Sequence, residues 1–519
     1  MYVLSILKKN YILVFILLLA LFLRVYTISG NNIFFYYDQA RDAVVSSSII
    51  TDKDIKIQGP SVSGTNDSVY HGVLYYYVIA PAYVLGGGSP FVVSAYLAVI
   101  SLLGIIVTYK ISIEVFKSKT VGLIAAFFQS VSAVSIHLST WLSNPNLSGI
   151  FVPLTYYYIW KIFLSEIKQS KISYIFFGAS IALSMQSALQ NITIFGSIFI
   201  VFIYSIFNKF YKLEVQKLLF SVFTFFVGIS TMILTEILMY RRGILSLESL
   251  NLNQHETNFF EILPQIASKY YFIISNILVA QKLFVLPIFI VLIALVFIAK
   301  MNRKQAILML VFLLAPLWLL VWHYRDPNHT FIGVETVIFL LLSAGITRLI
   351  KQKKQILNLL GFAFLGTFAV ANFIQILDWN KQQHHHFGVI QNGAFLNRQL
   401  QVVDKTYEIA NGSQFSFSSL TSPYAINATW DYLYRWHGQS KYGYTPYYIG
   451  IDQKYFITEK VLEQKYQPET LHFIIFEPDT TLSEEIQNDF IKNQYDTFGT
   501  FTVDTNYQFG SLKLKQLAQ

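Results

Sequence analysis

The sequence of 519 residues contains no cysteine and few charged residues. Without cysteine, disulfides, thiolate metal sites and cysteine nucleophiles are excluded. Charged residues make up 13% of the chain, whereas a soluble protein has about 25%. Hydrophobic residues make up 54%, so the composition predicts a polytopic membrane protein. The net charge of +9 does not indicate nucleic-acid binding, because lysines and arginines cluster in short loops between apolar segments.

Apolar runs long enough to span a bilayer recur along residues 1–378. We predict about 11 transmembrane helices there. The first run follows a lysine-containing N-terminus as in a signal peptide, but no clear cleavage site follows it, which favours a retained span. The predicted spans are 10–29, 91–114, 120–137, 147–165, 173–191, 193–208, 218–238, 283–299, 305–322, 331–347 and 355–377.

Basic residues concentrate in alternate loops, which is typical of the cytoplasmic side of a plasma membrane. This pattern places the N-terminus in the cytoplasm and the C-terminal part outside. Basic loops include Lys117 and Lys119, Lys209 and Lys212, and Lys351 and Lys353.

The first outer loop, about residues 30–90, is long, and long loops are often functional. It begins with Phe34-Phe35-Tyr36-Tyr37-Asp38-Gln39-Ala40-Arg41-Asp42-Ala43. On a helix, Asp38, Arg41 and Asp42 share one face. This pattern predicts either a solvated ion pair or a functional carboxylate cluster at the mouth of the membrane domain. The loop ends with a tyrosine-rich stretch, 70–77, that is too short to span and suits an interfacial helix.

Other polar groups occur in the remaining predicted outer loops. Asn144 and Asn146 flank Pro145, where a capped turn is the simpler interpretation. Glu236 lies near the end of a span and either pairs with Arg241 or Arg242 or lines a cavity. Arg325 and His329 lie in a turn where they bind either lipid headgroups or a specific phosphate.

Residues 379–519 are more polar and contain no run that could span, so we predict a soluble α/β domain there. Its helices are predicted at 394–409 and 424–436, and its strands at 471–476 and 498–503. His384, His385 and His386 are adjacent, so they do not share a face, and no second group of ligands is evident. No metal site is predicted at these histidines.

The order and spacing of these motifs resemble the GT-C superfamily of polyprenyl-phosphate-dependent glycosyltransferases. Within it, the chain is similar to bacterial relatives of protein O-mannosyltransferases and lipid A aminoarabinose transferases. Asp38-Gln39 resembles the family's Asp-Glu pair. The segment His71-Gly72-Val73-Leu74-Tyr75-Tyr76 resembles its Pro-Leu-Tyr-Tyr segment, and the loop from Trp141 to Asn146 resembles its Trp-Asn-Pro-Asn loop. Gln39 replaces the second acid, which weakens the case for a metal site on that pair.

The resemblance implies transfer of a hexosyl or pentosyl group from a polyprenyl phosphate to a hydroxyl of a lipid, glycan or protein. Asp38 is expected to be the general base, with Asp42 second in the cluster, and transfer is expected to invert the anomeric carbon. No cofactor is required, although Asp38 and Asp42 could share a divalent metal. The expected donor-phosphate ligands are Arg41, His71, Arg325 and His329, and the cavity or acceptor candidates are Asn144, Asn146 and Glu236.

Two alternatives remain open. An oligosaccharyltransferase is suggested by Trp430-Asp431-Tyr432, but the surrounding pattern is that of an amphipathic helix. We therefore expect Asp431 on a helix surface, where Asp431→Asn is tolerated. A lipid or sugar transporter is the non-enzyme alternative, yet the inverted repeats typical of transporters are not evident.

Overall fold

Long apolar segments fold as helices in lipid because every backbone group must then be satisfied within the segment. The computed structural model describes residues 10–62, 69–210, 214–243, 259–278, 299–322, 331–383, 393–451, 461–466, 468–477, 482–499 and 502–518. Apolar helices dominate these residues up to 383, and a five-stranded sheet with flanking helices follows. The predicted fold class, a helical membrane domain followed by an α/β part, is confirmed in outline.

Segments of 3₁₀ or π-helix follow several of the helices before the sheet. Those segments are Ser29–Asn31, Asn144–Leu147, Trp160–Leu164, Leu189–Thr193 and Ala315–Trp322. The helices are α1 (Tyr11–Ile28), α2 (Tyr37–Thr51), α3 (Leu74–Leu85), α4 (Pro90–Phe116), α5 (Lys119–Val131), α6 (Ala133–Thr140), α7 (Ser148–Ile159), α8 (Lys171–Ser187), α9 (Ile194–Phe207), α10 (Val215–Gly228), α11 (Ser230–Arg241), α12 (Phe259–Ile277), α13 (Arg303–Leu314), α14 (Glu335–Ile350) and α15 (Gln355–Gln382).

Within the described residues, 5 helices are long and apolar enough to cross a membrane, or up to 7 if two bent pairs each form one span. Helices α8 and α14 coincide with predicted spans but have only 17 and 16 residues. The predicted span at 283–299 lies almost wholly outside the described residues. The count of about 11 spans therefore stays a prediction.

Two predicted spans are broken, and each break is compensated by an amide side chain from a neighbouring helix. Helices α5 and α6 meet at 64°, and α10 and α11 meet at 54°. At the first break the Ala133 N–H donates to Asn372 Oδ1 at 2.8 Å. At the second, Gln186 Nε2 donates to the Gly228 carbonyl at 2.9 Å. Such partners are needed because lipid cannot satisfy the backbone groups that a break exposes.

The C-terminal part is built on a mixed sheet in the order β2-β1-β3-β5-β4. Strands β1, β2 and β3 pair in parallel, whereas β5 pairs antiparallel with both β3 and β4. The elements are α16 (Leu396–Ala410), β1 (Ser416–Leu420), α17 (Ala428–Leu433) with a π-helical continuation at Tyr434–Gly438, α18 (Gln439–Tyr442), β2 (Tyr447–Tyr448), β3 (Leu471–Phe476), α19 (Glu484–Phe498), β4 (Val503–Phe509) and β5 (Leu512–Ala518).

The strand predicted at 471–476 and the helix predicted at 394–409 are confirmed, but the strand predicted at 498–503 is wrong. Helix α19 extends to Phe498, and β4 begins only at Val503. Ser483 caps the start of α19 by accepting from the Ile486 N–H. Gly499 follows the helix with a φ of 73°, a conformation that glycine adopts readily at helix ends. This glycine therefore ends a helix and is not part of a strand.

The start of the first loop, residues 30–90, is joined to the C-terminal part by backbone hydrogen bonds. Phe34 and Phe395 form an antiparallel bridge. The Phe35 N–H donates to the Ala394 carbonyl at 2.9 Å, and the Leu396 N–H donates to the Ile33 carbonyl at 2.8 Å. Gln399 adds a side-chain bond to the Phe35 carbonyl. The segment immediately before Asp38 is therefore fixed by contacts from the far end of the chain.

Candidate active site

Asp38, Arg41 and Asp42 lie together in the first two turns of α2, as predicted. Arg41 Nη1 lies 2.8 Å from Asp38 Oδ1, and Arg41 Nη2 lies 2.7 Å from Asp42 Oδ1. Arg41 Nε also donates to Asp42 Oδ1 at 3.0 Å. The guanidinium thus lies between the two carboxylates and holds both.

The two carboxylates differ in their access to solvent. The Asp38 side chain is 34% exposed, whereas that of Asp42 is 3% exposed. Burial raises the pKa of the Asp42 carboxyl to about 6, although the Arg41 charge opposes this rise. A substrate can therefore reach Asp38 directly, while Asp42 is positioned to hold Arg41.

Tyrosine side chains complete this cluster, and the sequence analysis did not include them. Tyr36 donates its hydroxyl to Asp38 Oδ2 at 2.7 Å. Burial raises the pKa of Tyr36 well above its ordinary value, so its hydroxyl stays protonated and remains a donor. Tyr76 on α3 contacts the cluster at Asp42. Its side chain forms a hydrogen bond with Asp42 that lowers the Asp42 pKa and so opposes the effect of burial. The tyrosine-rich motif at 75–77 is the signal for this contact in the sequence, and the prediction of an interfacial helix does not include it.

Gln39, next to Asp38, has a structural role. Its Oε1 accepts from the Tyr36 N–H at 3.2 Å and so caps α2. Its Nε2 donates to the Leu142 carbonyl at 2.9 Å. Gln39 thereby fixes the second loop, residues 141–147, against the start of α2.

The carboxylates are not arranged as metal ligands. A metal shared by Asp38 and Asp42 would have to displace the Arg41 guanidinium that lies between them. Among the residues that the structure describes, no group of three or more His, Asp or Glu side chains is placed to hold an ion. His384, His385 and His386 lie outside those residues.

His71 lies where the first loop meets the end of α8. The Leu189 N–H donates to His71 Nδ1 at 3.1 Å, so in the neutral ring the hydrogen is on Nε2. The adjacent Gly72 packs directly on Gln186, because a Cβ there would lie 2.5 Å from the Gln186 Cα. Gln186 in turn accepts from the Leu74 N–H and donates to the Gly228 carbonyl at the break between α10 and α11. One side chain thus connects the first loop with two membrane helices.

Asn144 and Asn146 hold the second loop in place. Asn144 Nδ2 donates to the Ser187 carbonyl at 2.8 Å, and Asn146 Nδ2 donates to the Trp141 carbonyl at 3.0 Å. Asn146 also lines a small buried cavity beside Arg24 and Glu335. These bonds favour the simpler interpretation of the motif as a stabilised turn.

The remaining predicted site residues are less connected to this cluster. Glu236 is exposed on α11, and within the described chain it forms no ion pair with Arg241 or Arg242. Its neighbour Thr235 donates to the Ile57 carbonyl, which places this helix end beside the first loop. Arg325 and His329 lie outside the described residues.

Asp431, expected on a helix surface, is buried instead, with 2% of its surface exposed. Its Oδ2 accepts from Arg435 Nε at 2.9 Å, and its Oδ1 accepts from the Leu462 N–H at 2.6 Å. Burial raises the pKa of Asp431 against the influence of Arg435. The expected surface position of Asp431 is therefore wrong. Because Asp431→Asn weakens a buried ion pair, we expect this change to destabilise the protein.

A comparison with protein-family models gives no match, and a comparison with curated protein sequences gives none either. Among solved structures, ArnT from Cupriavidus metallidurans is similar both bound to undecaprenyl phosphate and in the apo state, each with a TM-score of 0.59. The identity is 11%, over 98% of this chain and 98% of ArnT. The oligosaccharyltransferase AglB from Archaeoglobus fulgidus, in complex with an inhibitory peptide and a dolichol-phosphate, has a TM-score of 0.42 at 12% identity, over 85% of this chain and 64% of AglB. That likeness is too weak to bear on function, but the likeness to ArnT shows that the two chains share a fold.

The pKa of Asp42 leads to a prediction about stability and pH. An unfolded aspartate has a pKa of about 3.9, whereas that of folded Asp42 is about 6. The folded state then binds the proton more tightly, so this group's contribution to stability is largest at low pH and declines as pH rises to about 6. The melting temperature of wild type minus that of Asp42→Asn should fall as the pH rises from 4.5 to 6. Above about pH 7 this difference should be constant. A difference that stays constant from pH 4.5 to 7 would contradict this assignment.

Proposed function

We propose that this chain is a membrane glycosyltransferase that moves a sugar from a polyprenyl-phosphate donor to an acceptor hydroxyl. The observation that carries the proposal is the accessible Asp38 carboxylate, held by Arg41 at the start of α2, in a chain that shares the ArnT fold over 98% of both chains. ArnT was crystallised with undecaprenyl phosphate, which supports a lipid-linked phosphate as the donor here.

Asp38 is proposed to act as the general base. The acceptor hydroxyl transfers its proton to Asp38 as its oxygen attacks the anomeric carbon, and the bond from that carbon to the phosphate oxygen breaks. Tyr36 and Arg41 each bond one oxygen of the carboxylate, and each oxygen retains a second lone pair for the incoming proton. Inversion follows because no enzyme nucleophile intervenes.

The departing lipid phosphate needs positive charge or hydrogen-bond donors nearby. Arg41 uses one hydrogen on each of its three nitrogens for the carboxylates and also bonds the Tyr76 side chain, so at most one of its five N–H groups remains for a phosphate. Its charge is already balanced by Asp38 and Asp42, however. We therefore assign Arg41 mainly to positioning Asp38 and assign His71 to the phosphate. Arg325 and His329 keep the same proposed role on the strength of the sequence alone.

The reaction as proposed needs no cofactor. Asp38 receives the proton, and protein groups meet the charge on the leaving phosphate, so a divalent metal is not part of the proposal. Asn144 and Asn146 are proposed to shape the acceptor side of the site through the second loop that they hold. Glu236 remains a candidate for acceptor contact beside the first loop.

The site is proposed to face the extracytoplasmic side of the plasma membrane, together with the C-terminal domain. The alternation of basic loops supports this orientation. The hydrogen bonds between residues 33–35 and 394–396 join the two regions, so both must lie on one side of the membrane.

Reporter fusions test this orientation. A reporter active only outside the cytoplasm should be active when fused after residue 378 or inserted near residue 54 in the first loop, and inactive when placed near Lys117. The opposite pattern would reverse the topology and remove the site from the extracytoplasmic face.

The role of Asp38 is tested by Asp38→Asn, which preserves size and most hydrogen bonds but cannot accept the proton. We expect turnover to fall by about 100- to 10,000-fold, as for a lost general base, with binding of undecaprenyl phosphate and the melting temperature little changed. Asp42→Asn is the matched control on the same helix and should have the smaller effect on turnover. The measurement is single-turnover transfer by purified protein, after mass spectrometry of cells with and without the protein has identified the glycosylated product.

A different result would distinguish the alternatives. An active Asp38→Asn protein would refute the catalytic role, and a lower melting temperature with normal turnover would make Asp38 only a partner of Arg41.

The role of His71 is tested by measuring the binding of undecaprenyl phosphate to the purified protein. His71→Ala should weaken this binding, because a lost hydrogen bond to a charged group typically costs about 1.5–3 kcal/mol. Unchanged binding would remove His71 from the donor site.

A further inference from the structure

A groove of about 220 Å³ lies between α2 and the C-terminal part. One wall is formed by Val44, Ser47, Ser48 and Thr51 of α2, with Asp52 at its end, and the other by Tyr432, Arg435 and Trp436. Pockets that enclose a whole drug-sized ligand have about 300–1,000 Å³, so this groove is smaller and holds only part of an extended ligand. Neither the general base nor the proposed phosphate ligands line this groove, so its function is not yet accounted for.

The groove leads away from the catalytic cluster along α2. Residues three or four apart share a helix face, so Arg41, Val44, Ser48 and Thr51 follow one another on successive turns. With a rise of about 1.5 Å per residue, Ser48 lies about 10 Å from Arg41 along the axis. A saccharide that extends past Val44 toward the start of α2 therefore reaches Arg41, which holds Asp38.

The opposite wall is held rigidly. The rings of Tyr432 and Trp436 stack with centroids 6.0 Å apart and planes at 24°. The Tyr432 hydroxyl donates to the Gly88 carbonyl, and Trp436 packs on Gly88 so closely that a Cβ there would lie 2.7 Å from its ring. The buried Asp431 holds Arg435 through Nε at 2.9 Å. The wall is thus formed before any ligand binds, which reduces the entropic cost of binding.

The chemistry of the groove favours a neutral, hydroxyl-rich ligand. Arg435 is the only cation among the described lining residues, and it is already paired with Asp431, while Asp52 adds a negative charge. The groove therefore has no excess positive charge to attract a phosphate. Ser47, Ser48 and Thr51 donate their hydroxyls to carbonyls of their own helix and so offer oxygen lone pairs outward. The face of an aromatic ring such as that of Trp436 can pack against the C–H groups of a sugar.

We infer that this groove binds the carbohydrate portion of the acceptor, a neutral oligosaccharide whose terminal hydroxyl is directed to Asp38. The inference rests on the proposed function, because it assigns the acceptor class for that site. It makes the acceptor a glycan or glycolipid rather than a peptide.

The test is saturation-transfer NMR on the full-length protein in lipid nanodiscs, which avoids detergents with sugar headgroups. The probes are neutral disaccharides containing α- or β-linked glucose, mannose, galactose and N-acetylglucosamine, together with a short peptide rich in serine and threonine. At least one disaccharide should bind wild type. Thr51→Trp, which fills the groove from an exposed helix position, should weaken that binding at least tenfold, and so should Trp436→Ala. Tyr466→Ala, at an exposed aromatic residue outside the groove, should bind like wild type.

Three results would overturn the inference: no disaccharide binds wild type, Thr51→Trp binds as well as wild type, or only the peptide binds. Undecaprenyl phosphate binding on the same samples separates this outcome from failure of the proposed function. Saccharide binding without lipid-phosphate binding would contradict the glycosyltransferase but keep the groove. Lipid-phosphate binding without saccharide binding would contradict the assignment of the groove but keep the proposed glycosyltransferase.

Discussion

The candidate site depends on the pairing of one guanidinium with two carboxylates. Arg41 is largely buried, and a buried charge is costly unless it is paired and hydrogen-bonded. Asp42 satisfies it from the inner side and Asp38 from the outer side. Removing one member of a buried pair typically costs about 3–5 kcal/mol, so the buried pair of Arg41 and Asp42 also fixes the position of Asp38. The same arrangement leaves Asp38 as the one carboxylate of the three-residue cluster that a substrate can approach.

The framework around this cluster is assembled by amide side chains that bond to backbone groups. Gln39 ties the second loop to α2, and Asn144 ties that loop to the end of α8. Gln186 connects the first loop to the break between α10 and α11, and Gln399 fixes the segment before Asp38 to the C-terminal part. An amide can both donate and accept, so it can satisfy exposed backbone without introducing charge. The loops are therefore held together at low electrostatic cost.

Features with a strong local signal were predictable from the sequence. Apolar length located the long helices, and the helical spacing of Asp38, Arg41 and Asp42 placed them on one face. The apolar run at 471–476 gave β3 with its observed limits. Each of these depends on periodicity or composition within a short window.

Features that depend on distant contacts were not predictable. The bends at Ser132 and Ile229 depend on Asn372 and Gln186, which are remote in sequence. Asp431 lies on an amphipathic pattern, yet Leu462 and Arg435 bury it. The wrong strand at 498–503 has a local cause instead, because Gly499 ends α19 and glycine is a common signal for the end of a helix. The groove between α2 and Trp436 is formed by regions far apart in sequence, which hydrogen bonds between residues 33–35 and 394–396 help to hold together.

The central claim is that a lipid phosphate binds beside Asp38, and a cryo-EM map with undecaprenyl phosphate in nanodiscs tests it most directly. The account predicts phosphate density within hydrogen-bonding distance of His71 or Arg41, close enough for one sugar ring to bridge the phosphate and Asp38. Phosphate density at the opposite end of the helical bundle, beyond the reach of Asp38, would contradict it.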